Sequence, residues 1–393
     1  MPLFWLFLMA TLYTGQNVNA FIVLAFLLGT VYFAIFHKKL ILSKDDIPIL
    51  FFIFYYLIIT IINGQNIIGF IIRFVCLPFI VIVFDRSQRY DRLHILKQFR
   101  DFIGLTAIYG LVEYIIHFNY MAYFVKIDAV EWIIKMNNAP LYYPSSIFLH
   151  YTYFSYVLLV GFILELVLPY KQKIFSILYR LLVVINIFLS QSRIVWLAFL
   201  VVFLVNLLFF TSRMKIERKK LIKWMIAFTC FVVFSIVFHF FQFIFSYITQ
   251  RFISLFSYGL SDGSLGQRVG TLNNWGEYFD LSSVKAIFGS GFGGVSDYLL
   301  NYSYFSGYST ADSTITVFLV ESGVVGLILF IIAILNLLIH VINVKNEFSR
   351  LLLLLIIGTL LTSLTVDFTA NYVVLYLFYV VLIVSLMNIR YKE

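Results

Sequence analysis

The chain has 393 residues, 62% of them hydrophobic and only 12% charged, with a formal net charge of +9. A soluble domain is roughly 45–50% apolar and about 25% charged, so this composition cannot coat a water-facing surface. It excludes a soluble enzyme, a nucleic-acid-binding domain and a disordered chain. The fold class is an all-α polytopic membrane protein, read as a single integral-membrane domain over residues 1–393.

A helix needs about 20 mainly apolar residues to cross a bilayer. In chain order, candidate spans fall near 3–13, 20–36, 48–63, 66–84, 102–118, 149–168, 173–189, 192–211, 223–246, 314–340, 350–367 and 370–387, about twelve transmembrane helices. The run at 3–13 is short and no Lys or Arg precedes it, so it is not read as a secretory signal. Cys76 and Cys230 lie within apolar runs and supply neither a disulfide framework nor a zinc site.

The basic residues set the orientation. Alternate loops carry three Lys/Arg at 37–47, five at 85–101, three at 169–180, six at 211–223, two at 340–350 and two at 388–393, which is 21 of the 28. The remaining seven are Arg73, Lys126, Lys135, Arg193, Arg251, Arg268 and Lys285. The positive-inside rule then places the basic loops in the cytoplasm. Two large loops, 119–148 and 247–313, fall on the opposite, extracytoplasmic side. The first carries the amphipathic stretch Phe124–Lys135 with Trp132, which fits the membrane surface. The second carries the run Gly289-Ser290-Gly291-Phe292-Gly293-Gly294. Lacking the Lys-Ser/Thr ending of a P-loop, that run reads mainly as a tight loop where backbone packs closely, with phosphate cradling as the lesser alternative.

The informative residues are the outer cations, because topology does not require them. Arg193 follows Ser190-Gln191-Ser192 at the outer end of a tight hairpin. Position alone leaves it between a functional group and an arginine snorkelling to headgroups. Arg268 precedes Asn273-Asn274-Trp275 in a segment able to form a short helix, and by itself reads as a solvated loop arginine. Arg73 lies inside its span, with Glu113, His117 and Asp367 as candidate partners. Glu113 and His117 are four apart on one helical face and read as a structural hydrogen-bonded pair. The six histidines show no zinc-ligand spacing, and there is neither a Gly-x-Ser-x-Gly elbow nor a pair of short broken helices of the transporter kind.

Three segments together resemble the O-antigen ligase/polymerase family of surface-polysaccharide assembly, over roughly residues 185–340. They are Leu189-Ser190-Gln191-Ser192-Arg193-Ile194-Val195-Trp196-Leu197-Ala198; Arg268 with Trp275 and Phe288-Gly289-Ser290-Gly291-Phe292-Gly293; and Asp312-Ser313 followed by Phe318-Leu319-Val320-Glu321-Ser322-Gly323-Val324-Val325-Gly326. Two features depart from the family pattern: Asp312-Ser313 stands where ligase-like members carry His-Asn, and Arg268 lies farther from its Trp. The first departure points toward a repeat-unit polymerase.

The resemblance implies a bundle like that of membrane glycosyltransferases with polyprenyl-linked donors, and metal-independent transfer on the outer face of the bacterial cytoplasmic membrane, without a cofactor. A glycan on undecaprenyl pyrophosphate is the implied donor and the next lipid-linked repeat unit the acceptor. Membrane lipid, a chain-length regulator and a flippase are the further partners, and no nucleic acid is involved. Arg193, Arg268 and Asp312 take the catalytic roles, the arginines on pyrophosphate and Asp312 on the acceptor hydroxyl. Arg73, Ser192, Arg251, Trp275 and Asp367 are the substrate-binding candidates. A ligase moving finished glycan to another acceptor is the main alternative, and a polysaccharide-lipid flippase the alternative of a different class.

Overall fold

The structure is a computed structural model that describes residues 18–36, 43–87, 92–123, 142–213, 263–275, 284–304, 310–344 and 346–390. Among these residues all regular structure is helical. The spans expected at 3–13 and 223–246, the surface stretch Phe124–Lys135 and Arg251 lie outside them.

Each expected span among the described residues coincides with a helix. These are α1 (Val18–Phe36), α2 (Ile47–Ile62), α3, α4 (Arg92–Ile116), α5 (Tyr151–Val167), α6 (Lys173–Leu189) and α7 (Arg193–Arg213). The interrupted helix α3 runs Ile67–Ile71, passes through a π turn at Ile72–Cys76 and resumes at Leu77–Ser87. Short helices α8 (Gly263–Asn273), α9 (Val284–Phe288) and α10 (Val295–Tyr302) fold the second large loop. The long helices α11 (Thr314–Asn343), α12 (Glu347–Ser363) and α13 (Tyr372–Arg390) follow. By length and apolar composition, three helices among the described residues can cross a bilayer: Lys44–Ile62, Thr314–Asn343 and Tyr372–Ile389.

Helices that are apolar all round belong in the interior of such a bundle. Accordingly α5 buries nearly every residue from Phe154 to Glu165, and Leu351–Leu355 of α12 are all buried. The Tyr156 hydroxyl of α5 and the Thr359 hydroxyl of α12 join these two central helices at 2.8 Å. Around them pack α4, α6, α7 and α13. Leu28 on α1, Ile62 on α2, Leu181 on α6 and Ile339 on α11 stay exposed, as an apolar girdle facing lipid requires.

Loops alternate between two ends. At one end, Tyr372 donates to Asn19 at 2.9 Å, the Asn66 amide donates to the Phe292 carbonyl at 3.1 Å, and the Thr314 amide donates to the Val366 carbonyl at 3.2 Å. At the other, His340 meets Asp45 at 3.2 Å, Arg350 donates to Asn206 at 2.8 Å, and Arg100 pairs with the fully buried Glu165 at 3.2 Å. The described parts of the Lys/Arg-rich loops gather at this second end, and the outer-cation motifs gather at the first.

Candidate active site

The site begins with a broken helix. Gly323 takes φ 67 and ψ −175 inside α11, so the carbonyls before it lose their helical partners. The glycine run supplies replacements: the amides of Ser290 and Gly291 donate to the carbonyls of Val320 and Glu321 at 3.0 and 2.8 Å. Gly289 and Gly323 both lie at positive φ, and the approach leaves no room for a side chain. A Cβ on Gly289 would meet the Glu321 carbonyl oxygen at 2.3 Å, and one on Gly323 would meet the Ile287 carbonyl oxygen at 2.4 Å. The buried Glu321 carboxylate then accepts from the Gly293 amide at 2.8 Å and from the Tyr56 hydroxyl of α2. Thr60 of α2 accepts from the Phe292 amide at 3.0 Å. The run is thus a tight backbone joint between α2 and α11, as its composition suggested.

This joint carries the entrance to α11. Ser313 caps the helix, accepting from the Thr316 amide, while the Thr314 hydroxyl donates to the Val366 carbonyl at 2.7 Å and accepts from the Phe368 amide at 3.0 Å. Asp312 precedes the cap at φ 50, a conformation that Asp and Asn adopt more readily than most residues. Arg268, on α8, donates from Nε to the Asp312 carbonyl at 3.3 Å and holds Nη2 3.9 Å from its carboxylate. The short helix expected before Trp275 therefore exists and delivers Arg268 to Asp312. The Trp275 ring packs behind it, on a cluster of Tyr298, Leu299, Ala311, Val317 and Val320.

A second cation–carboxylate set lies across the 363–371 turn. Arg73 donates from Nε to the Thr369 carbonyl at 2.7 Å, with its guanidinium 4.3 Å from the Tyr372 ring and 5.1 Å from the Phe292 ring. Of its three candidate partners, Asp367 is the one in electrostatic reach. The Asp367 carboxylate accepts from the Thr369 amide and hydroxyl at 2.9 and 2.6 Å. Tyr153, on the first turn of α5, donates to the Asp367 carbonyl at 3.1 Å and feels the charges of both Asp367 and Asp312. His150 lies 5.5 Å from the Tyr153 ring, between centroids, and within the electrostatic reach of Asp312 and Arg268. Tyr153 bonds the Asp367 turn and its ring meets His150, and sequence reading passed over both.

The Arg193 hairpin stands on the same end. Gln191 turns it at φ 58, and Trp196 donates from its indole to the Ile187 carbonyl at 2.8 Å, clamping α6 to α7. Ser192 is buried with its carbonyl accepting from the Trp196 amide, and Arg193 is the first residue of α7. That helix packs along α12, whose Ser363 carbonyl accepts from the Ser313 hydroxyl. Arg268, Asp312, Arg73 and Asp367 are thus connected through contacts, while Arg193 and Ser192 share their end of the bundle.

One pairing is corrected. Glu113 bonds neither His117 nor Arg73; its carboxylate accepts from the amides of Ser145 and Ser146 at 3.0 and 2.6 Å, from Tyr142 at 2.9 Å and from Asn119 at 3.1 Å. His117 lies past the end of α4 at φ 56, where the helix has stopped and the four-residue spacing no longer aligns faces. Its ring stacks on Tyr142 instead, centroids 5.3 Å apart. Among the described residues no group of three His, Cys, Asp or Glu side chains could hold a metal ion.

Residues 178–331 match the family model described as O-antigen ligase. The matched segment contains the Arg193 hairpin, Arg268, the glycine run, Asp312 and the break at Gly323, and stops before Asp367. No curated protein matches the chain.

Proposed function

From a match that supports an O-antigen ligase/polymerase-like family, whose members are glycosyltransferase-like enzymes, we propose that the chain polymerises lipid-linked oligosaccharide repeat units into capsule, O-antigen or exopolysaccharide. The observation that carries this reading is the contact of Arg268 with Asp312 at the capped entrance of α11. The end of the bundle holding them is the extracytoplasmic face, in a protein of about twelve spans in the bacterial cytoplasmic membrane.

The hydroxyl of the acceptor repeat unit attacks the anomeric carbon of the growing glycan. The new glycosidic bond forms as the bond to pyrophosphate breaks, and undecaprenyl pyrophosphate leaves with the electron pair. Asp312 takes the hydroxyl proton. Arg193 and Arg268 hold the pyrophosphate oxygens with planar forks, which suit bidentate recognition. Arg73, stacked on Tyr372 and steadied by Asp367, lines the approach from the other side of the turn, with Ser192 and Arg251 as further contacts to substrate. Trp275 contributes through α8, whose seat it packs.

The leaving group arrives activated, so neither a nucleotide nor a divalent metal is needed. Purified protein in nanodiscs should extend lipid-linked repeat units in EDTA. Activity that disappears on chelation and returns with one metal would overturn this chemistry. The description of the matched family favours a ligase as the second reading. Lipid-linked glycans in a deletion strain separate the two: accumulated single repeats indicate the polymerase, unattached polymer the ligase.

A further inference from the structure

The turn between α12 and α13 is held residue by residue. The Val366 carbonyl accepts from the Thr314 amide at 3.2 Å and from the Thr314 hydroxyl at 2.7 Å, and the Phe368 amide donates to that hydroxyl at 3.0 Å. The Asp367 carbonyl accepts from Tyr153 at 3.1 Å, and the Thr369 carbonyl accepts from Arg73 Nε at 2.7 Å. Elements α3, α5 and α11 thus fix four consecutive residues. Thr314 holds two of them with one buried hydroxyl, used as donor and acceptor at once. It follows Asp312 by two residues, and Ser313 between them caps α11 and donates to the Ser363 carbonyl at 3.4 Å. One side chain therefore ties the backbone carrying Asp312 to the turn that Arg73 grips.

We propose that Thr314 is a positioning residue for the transfer, whose hydroxyl sets the Asp312 carboxylate and the Arg73 guanidinium relative to each other. The inference rests on the polymerase reading above, in which both groups meet substrate. Valine has nearly the shape of threonine but leaves the Phe368 amide without its acceptor in a buried place, a cost that the turn relieves only by shifting. Arg268 still reaches Asp312 from α8, and Arg73 still stacks on Tyr372, so each group keeps its own contacts. What is lost is their alignment across the turn, and a misplacement of about 1 Å at reacting groups costs on the order of 100-fold in rate.

The test uses full-length protein in nanodiscs, with lipid-linked repeat units from a deletion strain as the probe and rates taken on the monodisperse fraction. Thr314→Val should lower kcat by on the order of 10–100-fold, with KM changed less than about twofold because the separate contacts to substrate persist. Thr314→Ser keeps the hydroxyl and should restore most of the rate. Tyr179→Phe removes another buried hydroxyl, one that donates to the Arg100 carbonyl at the opposite end of the bundle; it should lower the melting temperature and leave kcat alone. A Thr314→Val rate equal to that of Tyr179→Phe, or a Thr314→Ser rate no better than that of Thr314→Val, overturns the role of Thr314. Should Thr314→Val fail to assemble, Tyr153→Phe frees the same turn at the Asp367 carbonyl, and an unchanged kcat there overturns the inference instead. A wild-type protein that extends no repeat units overturns the polymerase reading, and this inference with it.

Discussion

Arg268 holds Asp312 twice, through the main-chain carbonyl at 3.3 Å and across 3.9 Å to the carboxylate. The Arg268 guanidinium is 3.9 Å from a carboxylate whose side chain is 36% exposed, and an ion pair this long with one partner open to water contributes about 1 kcal/mol or less to stability. Its removal should therefore be visible in catalysis and not in folding. Arg268→Ala, Arg268→Lys and Arg193→Lys should each reduce polymer sharply at normal abundance, the lysines because they lose the planar fork. Asp312→Asn keeps the size and tolerates φ 50, so it isolates the carboxylate; activity should fall on the order of 10²–10⁴-fold. Polymer length on gels, normalised to protein abundance with Lys285→Ala as a control, measures this. Wild-type polymer from all of the site variants would remove the assignment.

The joint between the glycine run and α11 makes the opposite forecast, of damage to folding. Gly289→Ala and Gly323→Ala each drive a Cβ into backbone, at 2.3 and 2.4 Å, and the Glu321 carbonyl cannot move without losing its bond from the Gly291 amide. Both variants should lose most folded protein, seen as early aggregation in fluorescence-detected size exclusion. Gly64 also has positive φ, but its Cβ would meet nothing within 4 Å. Gly64→Ala should thus lose only the left-handed preference, about 1–2 kcal/mol, and remain monodisperse. Equal behaviour of the three would show that the close approach does not matter.

The helices were legible because long apolar runs end at polar turns: both limits of α6, Lys173 and Leu189, were set by Gln172 on one side and the Ser190-Gln191 turn on the other. The π turn at Ile72–Cys76 was not read from the sequence, although its signal is there: Pro78 follows two residues later, has no N–H to donate to the Phe74 carbonyl and crowds it, which displaces the regular ladder at this turn. Motif order brought Arg268 and Asp312 to one loop, and their contact followed. His150 and Tyr153 carry no motif and reach Asp312 only through tertiary packing of α5. Glu113 was misassigned because its acceptors lie in the irregular segment 142–146, where no periodicity announces a partner.

That segment supplies a stability prediction. Glu113 is buried, and it satisfies the amides of Ser145 and Ser146 together with Tyr142 and Asn119. Each buried donor left without an acceptor costs about 1–3 kcal/mol. Glu113→Ala should therefore destabilise by on the order of 3 kcal/mol or more, read as a lowered melting temperature in detergent. Glu113→Gln keeps one acceptor oxygen but points an N–H₂ at donors, so it should lie between the wild type and alanine. A neutral Glu113→Ala would mean that the 142–146 segment is held by other contacts.

Sidedness is the premise on which the extracytoplasmic site depends, and it can be measured without any activity. The seven Lys/Arg outside the basic loops include Arg193, Arg268 and Lys285, all on the end of the bundle that carries the glycine run. If the basic loops face the cytoplasm, residues of α10 must face outward. Asn301 on α10 and Lys171 between α5 and α6 are both exposed, at opposite ends. In a background of Cys76→Ala and Cys230→Ala, Asn301→Cys should react with an impermeant thiol reagent added to intact spheroplasts. Lys171→Cys should react only after permeabilisation, since it lies among the charges that hold its loop inside. Labelling both before and after lysis, and scoring each site against its own maximum, removes differences in local reactivity. The reverse pattern would put Arg268 and Asp312 in the cytoplasm, where the proposed outer-leaflet pyrophosphate donor cannot reach them, and would leave the helical packing itself untouched.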